Sequence, residues 1–137
     1  MFEAKVYRIV VSTLGAILQE EHLAKETIQR WNIECAEKAG KMFLSVPEDA
    51  PVVPDLYVVI IDSYVDATKV NEIIAKGKPI VFFFNKYHDP SNSMQAEIVK
   101  VDAFKETVKE KYSCVDYNAA HEFVSVVYSV LIDIIKN

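Results

Sequence analysis

A doubly wound α/β fold, with one five-stranded, mostly parallel sheet between two layers of helix, is predicted by three features of the sequence. Runs of β-branched and other apolar residues alternate with segments of helical periodicity. The strand-like runs are apolar throughout rather than alternating, as strands covered on both faces must be. Turn-forming residues separate the two kinds of segment at intervals that suit a parallel sheet rather than a sandwich.

The first strand is Val6 to Val11, and Ser12, Thr13 and Gly15 break it. From Ala16 to about Lys38, Ile17, Leu18, Leu23, Ala24, Ile28, Trp31 and Ala36 recur at helical spacing, and Gly40 stands where a helix stops. Met42 to Val46 reads as strand two, Asp55 to Ile61 as strand three, Asp66 to Lys76 as a helix and Pro79 to Phe84 as strand four. Ser93 to Lys111 supplies a further helix, Tyr112 to Val115 a short last strand and Ala119 to Lys136 the closing helix. Between strands two and three lie only Pro47 to Pro54, eight residues with three prolines. A parallel crossover normally contains a helix, and none fits there. Fully extended, the segment reaches about 26 Å at roughly 3.3 Å per residue, enough to pass over a neighbouring strand as a proline-stiffened strap. The expected architecture is therefore flavodoxin-like, strand order 2-1-3-4-5, with the crossover helix after strand two missing.

At 137 residues the chain is expected to form one domain, residues 1–137, with one core. A formal charge of -5 disfavours an electrostatic grip on nucleic acid or anionic membrane and suits a neutral or cationic partner. Cys35 and Cys114 are too few for a disulfide scaffold, which points to a reducing, cytoplasmic setting. The apolar opening has no basic flank or cleavage signal, and no apolar run reaches the roughly 20 residues of a membrane span.

In an open parallel sheet of this order, ligands bind beyond the carboxyl ends of the strands where the order reverses, here between strands one and three. The loops expected there carry Ser12, Thr13, Gly15, Asp62, Ser63 and Tyr64, with Asn85, Lys86, Tyr87 and His88 after strand four. Ser12-Thr13-Leu14-Gly15 leading into a helix offers hydroxyls, free amides and a positive dipole end to a phosphate or carboxylate. The competing reading is that Ser12 or Thr13 is an N-cap and Gly15 relieves a turn.

The segment Lys5 to Ile17, followed by Gln19-Glu20-Glu21, Ala24-Lys25-Glu26 and Arg30-Trp31-Asn32, resembles the opening of a bacterial TIR-like domain family of unknown function. That family is related to TIR domains and nucleoside deoxyribosyltransferases. Asp55 to Ile61, Ala75 to Phe84, Val101 to Lys105 and the Phe123 helix resemble its later strands and tail. Leu14 and Ala16 stand where the family has Pro and Asp, and the stretch from Asp62 to Glu72 is compressed relative to it. The resemblance implies a nucleotide pocket, with NAD or a related nucleotide as ligand, whose catalytic glutamate has Glu72 as its nearest counterpart.

Cleavage of a glycosidic bond needs a carboxylate against the ribose and commonly an aromatic shelf for the base. Glu72 or Asp62 is the candidate acid and Tyr64 the candidate shelf; an ordinary solvated helix position for Glu72, and an N-cap role for Asp62 and Ser63, are the bland alternatives. No metal site is expected, because no tight acidic pair follows strand one. Among the histidines only His88 falls in a loop on the candidate face, and neither cysteine has a basic neighbour to activate it. The expectation is a degenerate TIR-like module that binds or assembles in bacterial signalling or defence without turnover. The alternatives are an N-glycosidase acting on nucleosides or NAD, and a purely structural oligomerisation domain. Phe123, Val126, Val127, Val130, Leu131, Ile134 and Ile135 exceed one apolar stripe, so a homodimer through the last helix is also expected.

Overall fold

The computed structural model describes residues 1–14, 18–62, 64–86 and 95–136. The elements are β1 (Lys5–Leu14), α1 (Leu18–Ala39), β2 (Lys41–Ser45), β3 (Leu56–Ile61), α2 (Ala67–Ala75), β4 (Ile80–Asn85), α3 (Gln95–Val108), β5 (Ser113–Tyr117) and α4 (Ala120–Lys136). The five strands form one sheet in the order β2-β1-β3-β4-β5, with every pairing parallel, as the alternation of segments predicts.

Successive strand residues face opposite sides, so the sheet sorts the core into two layers. Ile9, Val11, Val58, Ile60, Val81 and Phe83 pack with α1 and α4, while Val10, Leu14, Val59, Ile61, Phe82 and Phe84 pack with α2 and α3. All six residues of β3 are buried. The ends of α1 and α2 are set by glycine: Gly40 at φ 67° and Gly77 at φ 70° lie in the left-handed region that a Cβ disfavours. Asp66 caps the start of α2 by accepting from the Lys69 amide at 3.1 Å.

The link between β2 and β3 is the strap that its length demands. The Val46 amide bonds the Ile9 carbonyl at 2.9 Å and the Asp55 amide bonds the Arg8 carbonyl at 2.8 Å, while the Arg8 amide donates to Asp55 Oδ2 at 2.8 Å. The strap thus crosses β1 tied down at both ends. Being thinner than a helix, it leaves a groove of about 390 Å³ over Val10 and Tyr57, bordered by Val52, Pro54, Lys76 and Lys78. Val6 and Leu44 stay 45% and 47% exposed for the same reason.

Two boundaries differ from the sequence reading in ways that matter. β1 runs on through Ser12 and Thr13 to Leu14, because β3 offers Val59, Ile60 and Ile61 as ladder partners and Leu14 gains a buried site. β5 continues to Tyr117, which pairs with Asn85. The outer face of α4 is narrower than its seven apolar positions suggest. Phe123, Val127 and Leu131 are buried, and Val126, Val130, Ile134 and Ile135 are half-buried against the same core. Tyr128 of α4 donates to Glu34 of α1 at 2.9 Å, and Lys41 Nζ donates to the Ile135 carbonyl at 2.9 Å, so the middle and the C-terminal end of that helix are anchored.

The Trp31-Asn32 pair has a structural role that the geometry makes explicit. Trp31 meets Phe43 edge-on at 5.0 Å, and Asn32 donates to the Phe43 carbonyl at 2.6 Å while accepting from its amide at 2.8 Å. The side chain substitutes for a neighbouring strand along edge strand β2. Asn32→Ala leaves both Phe43 groups without their partner and is expected to destabilise the fold by roughly 1–3 kcal/mol. A urea midpoint unchanged by the substitution would show that β2 is held by β1 alone.

Candidate functional site

The register of the sheet decides which side chains meet at its carboxyl edge. On the α1/α4 side, Val11, Val58, Val81 and Ser113 form one row, and Thr13, Ile60, Phe83 and Val115 the next. The row after that is Asp62, Asn85 and Tyr117, in which every side chain carries a polar group. Asn85 Nδ2 donates to Asp62 Oδ1 at 2.7 Å, fixing the carboxylate at the end of β3. Glu20, in the first turn of α1, brings a second carboxylate within electrostatic reach of Asp62.

Tyr117 closes the group. Only 1% of it is exposed, its ring packs on Phe123 at 4.8 Å, and its hydroxyl has no hydrogen-bond partner among the described residues. Burial above all, and then the charges of Glu20 and Asp62, hold the phenol well above its ordinary range, so it remains a donor. Burial likewise raises the Glu20 carboxyl, a bond to its own backbone opposes this, and the charge of Asp62 adds to the rise. Asp62 and Asn85 therefore stand at the carboxyl edge above a buried phenol, with the Glu20 charge within electrostatic reach, a pair of acceptors suited to hydroxyls or a cationic group.

The predicted residues divide between two sides of the sheet. Asp62 and Asn85 sit together at the carboxyl edge, with Thr13 one row below them on the same side. Ser12 does not: it lies within β1 on the α2/α3 side, fully buried, and its Oγ is unpartnered among the described residues. Its place in the ladder, level with Val59 and Phe82, removes it from any loop. Glu72 lies on α2 beside a groove of about 400 Å³ lined by Glu48, Tyr57, Lys69 and Lys76, across the sheet from Asp62. The two candidate acids are not brought together. Tyr64 is exposed beyond β3. Gly15, Ser63 and His88 lie outside the described residues.

Sequence reasoning missed Glu20 and Tyr117 as site residues. The acidic start of α1 was the available signal for Glu20; nothing in the chain marks Tyr117, because its role comes from the added length of β5. The cations near this edge are engaged elsewhere. Lys69 bonds the Thr13 carbonyl at 3.4 Å and pairs with Glu48, and Lys105 pairs with Asp116 at 2.7 Å. Among the described residues, no group of three or more His, Cys, Asp and Glu side chains is placed to hold a metal ion, and no helix is long and apolar enough to cross a membrane.

No protein-family model matches the chain, and no curated protein does. Solved structures share its fold. The apo form of translation elongation factor SelB from Methanococcus maripaludis aligns with 100% of this chain at a TM-score of 0.59 and 13% identity. The chain spans 37% of that protein's length. A short-chain flavodoxin associated with a non-canonical PDU bacterial microcompartment aligns over 96% of this chain and 97% of its own, at a TM-score of 0.50 and 12% identity. These likenesses establish the flavodoxin-like fold.

The raised Glu20 carboxyl has a consequence for stability. A carboxyl whose folded value exceeds its unfolded one stabilises the fold fully below the unfolded value, roughly 4.3, and loses that contribution as pH rises through the folded value. Glu20→Gln is therefore expected to raise the urea midpoint at pH 7 and to have little effect near pH 4. Because the group is partly solvated, the gain is small. A loss of stability at pH 7 would show that the ionised carboxylate is held favourably.

Proposed function

We propose that this chain is a TIR-like binding module of a bacterial signalling or defence system. Its crevice between the ends of β1 and β3 takes the nucleoside part of NAD or a related ligand, without turning it over. The observation that carries this reading is the Asp62 carboxylate held by Asn85 at the carboxyl end of β3, with Glu20 within electrostatic reach. Ribose hydroxyls are natural donors to such a pair. Absence of turnover is supported by the separation of Glu72 from Asp62 across the sheet.

One observation favours a second reading, an N-glycosidase. Glu20, with its carboxyl raised, stands near a second carboxylate, the arrangement by which one acid protonates and the other stabilises an oxocarbenium-like transition state. A homodimer through the half-buried outer face of α4 remains compatible with either reading.

Thermal shift with NAD, ADP-ribose and adenosine, followed by chromatography of the same mixtures, separates these readings. Stabilisation without released base, reduced by Asp62→Ala, is the expected outcome. Release of base abolished by Glu20→Gln would establish the enzyme. No response to any of the three would transfer the function to protein assembly.

A further inference from the structure

We infer that the groove between the strap and α2 binds a small organic anion with an apolar body. Val10, Val52 and Pro54 enclose the body, while Lys76, Lys78 and the Tyr57 hydroxyl take its carboxylate or phosphate. The site lies across the sheet from Asp62 and is separate from the nucleoside reading.

The shape suits such a ligand. The groove encloses about 390 Å³, within the roughly 300–1,000 Å³ of small-molecule sites. Its strap wall is preformed: the ends are tied to the Ile9 and Arg8 carbonyls, and Pro51 and Pro54 restrict the backbone between them. Val52 and Val53 of that wall are 38% and 61% exposed, apolar area that a bound body would cover.

The charge at this groove is opposite to the chain's overall charge of -5. Lys76 and Lys78 flank Gly77, whose φ of 70° turns the chain after α2, and both line the groove. Neither ammonium group has a hydrogen bond or ion pair among the described residues. The acid at the groove, Glu48, is already paired with Lys69 at 3.4 Å, and Glu72, one turn before Lys76, lines only the adjoining groove. A third polar group has the same unfilled capacity. Tyr57 is only 5% exposed, its hydroxyl makes no hydrogen bond among the described residues and, unlike that of Tyr117, is not sealed from solvent. With Lys76 it lines both grooves and so stands at their junction. A phenol in that position donates to an anionic oxygen, and two free ammonium groups beside apolar surface favour an anion over a neutral ligand of the same shape.

The test is an NMR titration of the isotope-labelled full chain with phenylacetate, phenyl phosphate, the neutral phenylacetamide and the cationic benzylamine. At least one of the anions is expected to shift the amides of the strap and of Lys76 to Lys78, and to bind about fivefold or more tightly than phenylacetamide. The tighter anion identifies the head group. Replacing both lysines, Lys76→Gln with Lys78→Gln, is expected to abolish that preference without lowering the melting temperature, because neither side chain has a partner to lose. Tyr57→Phe is expected to weaken the anion about fivefold. Phenylacetamide binding as tightly as the anions, or a preference for benzylamine, would overturn the anion site, and both comparisons use the unsubstituted chain. Shifts that map elsewhere, or no saturable binding, would overturn the groove as a site. Each of these outcomes is independent of the response to NAD and of its loss in Asp62→Ala.

Discussion

β3 is buried along its whole length, hydrogen-bonded to β1 on one side and β4 on the other. A strand in that position has water on neither face, so both layers of helix are obligatory and the register on each side is fixed by which side chains fill the two cores. Much else follows from that ladder. It extends β1 to Leu14 and holds Ser12 inside the sheet. On the other side, β4 hands the same register to β5, so that Tyr117 arrives level with Asn85.

The same constraint explains how the fold accommodates a missing crossover helix. Face coverage is needed most over β3 and β4, where α2 and α3 supply Val70, Ile73, Val101 and Val108. Over β1 and β2 a strap tied to Arg8 and Ile9 suffices, at the expense of exposed Val6, Leu44 and Val53. β2 then depends on α1, through Trp31 and Asn32, for what a second neighbouring strand would otherwise provide.

The polar carboxyl edge is a product of layering. Beyond the rows of Val11, Val58 and Val81 and of Thr13, Ile60 and Phe83 on the α1/α4 side, the row of Asp62, Asn85 and Tyr117 lies where the strands end and α1 begins. Carboxylates placed there, on β3 and α1, are close enough to act on one another and on a buried phenol. Their mutual repulsion is tolerated because Asn85 bonds one of them and solvent reaches the other. The resulting field differs from the phosphate cradle that the Ser12-Thr13 segment suggests when it is read as a loop.

The sequence by itself determined the fold class, the strand order, the absent crossover helix and the glycine stops. Each of these depends on local periodicity, chain length or backbone conformation, which are properties of short segments. It also placed Asp62 and Asn85 correctly at strand ends on the switch-point edge. Only the tertiary structure decided that Ser12 is sealed in the sheet, that Glu72 faces away from Asp62, and that Glu20 and Tyr117 join it. Those outcomes depend on which face of an element a residue occupies and how far a ladder extends, and both are set by partners distant in the chain.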